Sequence, residues 1–324
     1  MEEKAKLITN SQGESIRPSR LIDFIGQKEL VECLTICVNA AKRRKECLDH
    51  VLLYGPPGLG KTSIGYTLAK EMDSKMRLIS GPSLERPGDL AAILSDLSPG
   101  ETLFIDEIHR LPSAVEEVLY SAMEDFCLYV VIGSGSDARS IEINIPPFTL
   151  IGATTKAGDL SSPLRSRFGI VYGMKYYSND ELTKIVIRAA KILEIGISEE
   201  AANEIAKRSR GTPRIANRFL RRARDFADSM GSSIIDLSIS QKTFYCLGID
   251  EYGLNPLDRR YLLGLIERFE RRPTGLVSLS SYLGEDLLTL EEAVEPFLLR
   301  LGLIEKTPKG RLVTPKAASL LLAK

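Results

Sequence analysis

The stretch Gly55-Pro56-Pro57-Gly58-Leu59-Gly60-Lys61-Thr62 decides the fold of this chain. It follows an apolar run at residues 51–54 and precedes residues 63–71, which have the composition of a helix. Between a strand and a helix, the pattern G-x-x-x-x-G-K-[ST] is typical of a loop whose backbone N–H groups surround phosphate oxygens. We expect Lys61 to reach the β- and γ-phosphates and the Thr62 hydroxyl to ligate Mg²⁺. The alternative is an ordinary glycine-rich turn, which does not require these flanking elements.

The composition is that of a globular protein with room for about two or three domains. Of its 324 residues, 44% are hydrophobic and 27% are charged, and the formal net charge is 0. A neutral chain argues against a protein that coats nucleic acid by bulk charge, although local basic patches remain possible. The apolar runs are shorter than the roughly 18 residues of a membrane span, and the start lacks a hydrophobic signal core. We therefore expect a cytoplasmic protein that does not associate with membranes.

A second motif at residues 102–109 has the sequence Thr-Leu-Phe-Ile-Asp-Glu-Ile-His. A hydrophobic strand that ends in two acids forms the second half of many nucleotide sites. Asp106 would hold Mg²⁺ through water, and Glu107 would orient and deprotonate the attacking water. Its distance from the glycine-rich loop predicts that the two motifs lie on neighbouring parallel strands. His109 is either a polar residue at the mouth of the site or a sensor of the nucleotide state.

Hydroxyl and arginine side chains complete the predicted hydrolytic site. Residues 148–155 form another buried strand pattern, which ends in Thr154 and Thr155 where the γ-phosphate should lie. A hydroxyl there can position the lytic water. Arg165 and Arg167 follow in a loop, and arginine binds phosphate bidentately without losing its charge. These arginines are either ordinary surface residues or include a finger that reaches the ATP of a neighbouring subunit.

A β-hairpin is predicted at residues 128–146, where two strand patterns flank a Gly/Ser-rich turn. The second arm alternates apolar and polar residues, so one of its faces is apolar. This hairpin either packs on its own domain or projects and offers its apolar face to a partner.

The rest of the chain predicts a helical domain followed by a winged helix. One helical pattern opens with Pro213 and Arg214, and we expect Arg214 to sense the nucleotide. From residue 254, three helical patterns precede two short strands around a Pro-Lys-Gly-Arg turn, as in a winged helix-turn-helix. The basic residues of this wing are Lys306, Lys309 and Arg311. They either only solubilise the turn or contact DNA phosphates, and the winged-helix setting favours DNA.

Together these motifs resemble the RuvB family, the bacterial AAA+ motors that drive branch migration of Holliday junctions. The motifs that carry the resemblance lie at residues 55–62, 104–111, 152–155, 162–169 and 208–214. The resemblance runs from about Ile16 to the C-terminus. It implies an α/β fold: a large AAA+ domain with a parallel sheet, then a small helical lid and a winged-helix head. The corresponding boundaries are residues 1–15 for a flexible tail, 16–178, 179–253 and 254–324.

The resemblance also implies a function and partners. The family hydrolyses ATP with Mg²⁺ and couples hydrolysis to the movement of duplex DNA through hexameric rings. It works with RuvA at the junction and with RuvC in the resolving complex, in homologous recombination, DNA repair and the SOS response to DNA damage. The hairpin at residues 128–146 would be the arm that meets RuvA.

Site residues carry over position by position. The implied nucleotide contacts are Ile16, Arg17, Gly58, Gly60, Lys61, Thr62, Ser63, Glu124, Asp125, Phe126, Tyr177 and Arg214. The implied hydrolytic residues are Asp106, Glu107, Thr155 as the first sensor and Arg167 as the finger in trans; Thr62 and Asp106 would hold Mg²⁺. Lys306 and Arg311 would meet the DNA backbone. The wing departs from the family in carrying Lys306 and Lys309 where arginine is common, and Ser63 replaces a threonine.

Three other classes of ATPase share part of this pattern. A clamp-loader-type switch is disfavoured by the basic winged helix. An ATP-dependent transcription regulator would prefer one DNA sequence, whereas a motor that holds phosphates would show no such preference. A protein unfoldase needs an aromatic–glycine pair in a pore loop, and no such pair occurs at a suitable place.

Overall fold

The computed structural model describes residues 16–132 and 139–322. The tail expected at residues 1–15 and the turn of the hairpin at residues 133–138 therefore lie outside the described residues. The described residues divide into two compact units. The first extends to Leu193 and includes Thr212–Arg214, and the second contains Glu194–Gly211 and the residues from Ile215 onward. Within the described ranges, no helix has the length and apolar character needed to cross a membrane.

The first unit is built on a five-stranded parallel sheet. Its strands are β1 (Val51–Tyr54), β2 (Met76–Ser80), β3 (Thr102–Asp106), β6 (Thr149–Thr154) and β7 (Ile170–Gly173), in the order β2-β3-β6-β1-β7. Between β3 and β6 the chain forms the separate antiparallel hairpin of β4 (Cys127–Ile132) and β5 (Arg139–Asn144). The helices of this unit are α1 (Lys28–Arg44), α2 (Lys61–Glu71), α3 (Pro87–Ser95), α4 (Ser113–Glu124), α5 (Ser162–Ser166) and α6 (Asn179–Ile192).

Strand β6 lies between the two motif strands, so the prediction that β1 and β3 are neighbours is wrong. Ile151 of β6 is paired with Val51 on one side and with Phe104 on the other. Every residue of β6 is buried, and a Cβ at Gly152 would lie 3.0 Å from neighbouring side chains, so the strand suits the centre of the sheet. Parallel strands are joined by long crossovers, and their order in the chain therefore does not fix their order in the sheet.

Helix α2 packs closely on this sheet and so fixes the loop that precedes it. A Cβ at Gly65 would lie only 2.5 Å from the ring of Phe104 on β3. Ile64 and Leu68 on the same helix are buried. Burial of a large apolar side chain contributes about 1.5–3 kcal/mol, so this face holds the helix firmly against the strands. The N-terminus of α2 consequently has a fixed position at the end of the sheet.

The second unit begins with helices α7 (Glu199–Arg208), α8 (Pro213–Ser229, from Ile215) and α9 (Leu237–Leu247). Two short parallel strands, β8 (Gly196–Ile197) and β9 (Ile234–Ile235), accompany them. The winged helix follows as α10 (Pro256–Leu263), α11 (Leu276–Leu283), α12 (Glu295–Arg300), the wing strands β10 (Ile304–Thr307) and β11 (Gly310–Val313), and α13 (Pro315–Leu322). The predicted succession of a parallel-sheet domain, a helical lid and a winged helix is confirmed.

Two predicted helices of the winged helix contain π-helical turns, one at Gly264–Arg268 after α10 and one before α12. The sequence predicts a continuous helix at residues 289–300, but Thr289–Val294 forms a wider π-helical turn before α12. The cause is Pro296, which lacks an N–H group and whose ring would collide with the carbonyl of Glu292 in a regular helix. The wider turn places Glu295 in the interior of the second unit, where it is completely buried.

Candidate functional site

The glycine-rich loop has a backbone that only glycine tolerates at its critical positions. Gly55, Gly58 and Gly60 have φ values of 134°, 79° and 106°. A Cβ at Gly55 would lie 2.8 Å from the carbonyl oxygen of Met174, and one at Gly58 would lie 2.9 Å from Thr212. The loop therefore curls tightly onto the N-terminus of α2, where N–H groups and the helix dipole favour an anion. A chain of phosphates fits this cradle.

Lys61 is the buried cation of the cradle. Its Nζ donates to the carbonyl oxygens of Gly55 at 2.7 Å and Pro56 at 3.1 Å. Burial lowers the pKa of Lys61, and the nearby carboxylates of Glu107 and Asp106 act in the opposite direction. The structure therefore brings together the two motifs that the sequence singled out, although their strands are not adjacent. Thr62 and Ser63 follow in the first turn of α2.

Tyr177 supports the loop from the side. Its hydroxyl donates to the carbonyl of Leu59 at 2.9 Å, and burial raises the pKa of this tyrosine. A Cβ at Gly26 would lie 2.6 Å from the ring, so the ring is closely covered. Of the other two implied contacts, Ile16 is buried and the Arg17 guanidinium lies 4.5 Å from the centre of the Tyr66 ring. Their contact with a nucleotide stays a prediction.

The acidic motif ends β3 with a turn that fixes both carboxylates. Asp106 accepts a hydrogen bond from the N–H of Glu107 at 3.0 Å, and Glu107 has a φ of 50°. A Cβ at Gly81 would lie 2.5 Å from the carbonyl oxygen of Glu107, so the backbone there is enclosed. Thr155 donates its hydroxyl hydrogen to Oε2 of Glu107 at 3.2 Å. A carboxylate oriented in this way suits a general base.

Arg214 lies at the phosphate loop. Its N–H donates to the carbonyl of Gly58 at 3.3 Å, and its Cβ would be 3.0 Å from a Cβ at Gly58. Its charge also lowers the pKa of Lys61. The backbone contact depends on the start of α8 at Pro213, as the sequence predicts. The expected second sensor is therefore next to the cradle, and its contact with a nucleotide stays a prediction.

A second cluster surrounds Arg167. Its guanidinium bonds to the carbonyl of Pro163 at 2.8 Å and to the Glu124 carboxylate at 3.1 Å, and it lies 4.6 Å from the centre of the Tyr120 ring. The sequence predicted roles for both Arg167 and Glu124 but missed Tyr120. The available signal was a tyrosine one helical turn before Glu124. Asp125 ends this helix.

Phe126 faces the interior. Its ring packs against His50 and Phe148, with centroids 6.4 Å and 6.0 Å away, and its φ is 49°. Its carbonyl accepts the N–H of Ile145 at 2.8 Å. Any contact of Phe126 with a nucleotide therefore has to involve a part of the residue other than the packed ring face.

Two of the three basic wing residues are paired with a buried acid. Lys306 Nζ lies 2.8 Å from Glu295, and Arg311 Nε donates to Glu295 at 2.7 Å. Tyr261 also donates to this carboxylate, at 2.9 Å. Burial opposes ionisation of Glu295, but the hydrogen bonds from Arg311, Lys306 and Tyr261 outweigh it and lower the pKa of Glu295. Lys309 lies exposed at the turn. The sequence analysis missed Glu295.

The hairpin exposes apolar side chains and buries its base. Tyr129, Ile141 and Ile143 are 56%, 45% and 40% exposed, whereas Leu128 and Ile145 belong to the core of the first unit. The sequence left two alternatives for the hairpin: packing on its own domain or exposure of an apolar face. The base of the hairpin packs on its own domain, and the described part of the arm exposes apolar side chains. The tip at residues 133–138 lies outside the described part of the chain.

Comparisons with known proteins cover nearly all of the chain. Family models match the Holliday junction DNA helicase RuvB P-loop domain at residues 16–174, the RuvB AAA lid domain at residues 177–250, and the RuvB C-terminal winged helix domain at residues 251–322. A structure of the RuvB Holliday junction branch migration motor from Thermotoga maritima is 47% identical, with a TM-score of 0.84. The match covers 95% of this chain and 98% of that chain. A substituted form of the same protein is 48% identical, with a TM-score of 0.85 and the same coverage.

Proposed function

The chain belongs to the RuvB family of Holliday junction DNA helicases, and from this membership we propose the following function. The protein is the ATP-hydrolysing subunit of a motor that drives branch migration of Holliday junctions. The observation that carries the proposal is the convergence on one phosphate cradle of Lys61, the Glu107–Thr155 pair and Arg214. The winged helix supplies the part that acts on DNA.

ATP binds in the cradle through loop N–H groups, and Lys61 exchanges its carbonyl partners for phosphate oxygens. Thr62 and Asp106 are suited to hold Mg²⁺, which neutralises charge on the phosphates when bound. Glu107 accepts a proton from the attacking water, and Thr155 holds the carboxylate while this happens. Arg214, attached to the start of α8, registers the change at the phosphates and passes it to the lid.

Arg167 acts on the ATP of a neighbouring subunit in a homo-hexameric ring. The Arg167–Glu124 pair is partly exposed, with side chains 20% and 55% accessible, so it contributes no more than about 1 kcal/mol. The triphosphate of ATP on the adjacent subunit carries more negative charge than Glu124 and can accept two hydrogen bonds from one guanidinium. It therefore replaces Glu124 as the partner of Arg167. The pair keeps the finger close to its working position until that partner arrives.

The remaining assignments concern domains and partners. Residues 16–178 form the large ATPase domain, residues 179–253 the lid and residues 254–324 the head, which grips duplex DNA through Lys306, Lys309 and Arg311. The exposed hairpin face that carries Ile141 and Ile143 receives RuvA, and RuvC joins the resolving complex. We place the protein in the cytoplasm, in homologous recombination, DNA repair and the SOS response.

The first test is branch migration of a synthetic four-way junction with ATP and Mg²⁺, with and without RuvA. The wild-type chain should convert the junction to two duplexes in the presence of ATP. Glu107→Gln should bind ATP and the junction but stop migrating, because an amide cannot take the proton; we expect hydrolysis to fall about 10²–10⁴-fold. ATP turnover without any movement of the junction would indicate a switch rather than a motor.

The second test concerns the finger in trans. Arg167→Ala should fold and bind ATP, but its hydrolysis should fall about 10³-fold or more. Titrating this variant into wild-type protein should depress activity more than dilution alone. Arg165→Ala is the matched control, because Arg165 is an exposed arginine on α5, two residues before Arg167. If mixtures lose activity only in proportion to the variant added, Arg167 does not act across a subunit boundary.

A further inference from the structure

The chain has only two histidines, and their surroundings differ in kind. His50 uses both ring nitrogens on backbone groups: Nε2 lies 3.1 Å from the carbonyl of Met123, and Nδ1 accepts the N–H of Leu150 at 2.9 Å. Burial lowers the pKa of His50, which agrees with a neutral ring held in the core. This histidine is structural. His109, in contrast, faces side chains of the proposed hydrolytic site.

The ring of His109 is held next to the proposed general base. Its Nδ1 lies 2.9 Å from Oγ1 of Thr154 and 3.3 Å from Oε2 of Glu107, and the side chain is only 9% exposed. His109 belongs to a 3₁₀ turn at Ile108–Arg110. Ile108 within that turn and Leu111 after it are both buried in the core. The turn is therefore anchored on both sides of the histidine, and the ring has little freedom to leave Glu107.

The neighbouring oxygens decide where the ring hydrogen sits. A lone pair on Nδ1 at 3.3 Å from a carboxylate oxygen would be repelled, so we assign the ring hydrogen to Nδ1. Thr154 Oγ1, which also accepts the N–H of Lys156 at 2.9 Å, accepts this hydrogen over an Nδ1–Oγ1 distance of 2.9 Å. Together with the Thr155 hydroxyl at 3.2 Å, the His109 ring is therefore the second polar group that lies against the same oxygen of Glu107.

We propose that His109 is a positioning residue for the Glu107 carboxylate, an inference that rests on the proposed role of Glu107 as the general base. Two polar contacts, from the His109 ring on the 3₁₀ turn and from the Thr155 hydroxyl directly after β6, restrict the carboxylate to one orientation. The backbone of Glu107 is already enclosed by Gly81. The orientation of the Glu107 carboxylate therefore depends on Thr155 and His109 and not only on the backbone of Glu107.

The same contacts link Glu107 to the end of β6, where the γ-phosphate of ATP is expected to lie. Thr154 and Thr155 are consecutive, and β6 lies beside the strand that leads into the phosphate loop. Thr154 touches His109 and Thr155 touches Glu107. A shift at this strand end would move Thr155 relative to Glu107 while His109 stays in place, and it would therefore change the orientation of the carboxylate.

The test compares steady-state ATP hydrolysis of three variants at position 109. His109→Ala should lower kcat about 10–100-fold, because a misdirected base loses its alignment, while KM and the affinity for a fluorescent ATP analogue stay within about twofold. His109→Asn should recover much of kcat, because its side-chain N–H group can stand near the position of Nδ1–H. His109→Gln places its donor farther out and should not recover it. Arg110→Ala, exposed on the same turn, controls for disturbance of the turn.

A double substitution separates this proposal from the one it rests on. In a Glu107→Gln background, His109→Ala should cause no further loss, because the group that it positions is already disabled. If Glu107→Gln is inactive but His109→Ala has wild-type kcat, raised kcat or lost ATP affinity, the positioning role is wrong and the base survives. If Glu107→Gln hydrolyses ATP normally, both assignments are wrong. Unfolding midpoints of all variants exclude loss of structure as the cause of a fall in kcat.

Discussion

The nucleotide cradle and the wing both depend on basic side chains, but they pair those side chains differently. Lys61 in the cradle bonds to the carbonyls of Gly55 and Pro56, neutral partners that a phosphate can replace. In the wing, Lys306 and Arg311 bond to Glu295, a buried carboxylate that depends on them. The cradle therefore keeps a cation whose neutral partners a ligand can replace, whereas the wing uses two cations to neutralise a buried carboxylate.

This difference explains why a spaced motif predicts a binding site better than a count of basic residues does. The glycine spacing of the cradle is required by positive φ values and close backbone approaches, so it reports a geometry. Three basic residues near a turn indicate only a local composition. Glu295, the acid that pairs with Lys306 and Arg311, lies on α12 and not in the wing. Leaving a buried Glu295 without its partners would cost several kcal/mol, so Arg311 cannot be moved to DNA without compensation.

The largest expected effect is at the cradle. Lys61→Ala should abolish ATP binding and reduce hydrolysis to background, because the loop loses its buried ammonium group. The N-terminus of α2 alone cannot neutralise the negative charge of the ATP phosphates. Binding is measured with a fluorescent ATP analogue, and hydrolysis by phosphate release. Lys70→Ala, an exposed lysine near the other end of α2, should leave both unchanged. Retained ATP affinity in Lys61→Ala would refute the role of the loop as a phosphate cradle.

The next effect concerns the stability of the wing. Glu295→Ala removes the acceptor shared by Tyr261, Arg311 and Lys306, and it should lower the free energy of opening of β10 and β11 by about 3 kcal/mol. Amide hydrogen exchange on the full chain measures this locally. Glu291→Ala is the control, because that residue is half exposed and lies 3.9–4.0 Å from the same cations. Equal effects of the two substitutions would show that the wing does not depend on the buried acid.

The pH dependence of the same region has a definite sign. The pKa of Glu295 is lowered from the ordinary 4.5, so its ionised form is favoured by folding. Its contribution is fully present above that value and is lost as the pH falls through the lower pKa of the folded state. The difference in wing protection between wild type and Glu295→Gln should therefore be constant near pH 7 and shrink only below about pH 4.5. A difference that shrinks already between pH 7 and pH 6 would contradict this assignment.

The features that the sequence could predict are those encoded by local residue spacing, and the features that it could not predict arise from tertiary packing. The phosphate loop, the acidic motif and the start of α8 were located from the sequence because local spacing and turn chemistry encode them. The position of β6 between the motif strands was not, because crossovers in a parallel sheet can skip a strand. Glu295 was missed because its role arises from tertiary packing with Tyr261 and the wing strands, and a helical pattern in the sequence does not reveal partners in other elements.

The smallest expected effect separates the exposed wing cation from a paired one. Lys309→Ala should weaken binding to duplex DNA several-fold and reduce the slope of log K against log salt by about 1, because one phosphate contact is lost without any internal rearrangement. Lys306→Ala should have a smaller effect, since its Nζ must leave Glu295 at 2.8 Å before it can reach a phosphate. Fluorescence anisotropy with duplexes of unrelated sequence, at several salt concentrations, measures both. If Lys306→Ala costs more affinity than Lys309→Ala, the pair with Glu295 opens on DNA, and the wing then resembles the cradle in exchanging an internal partner for a phosphate.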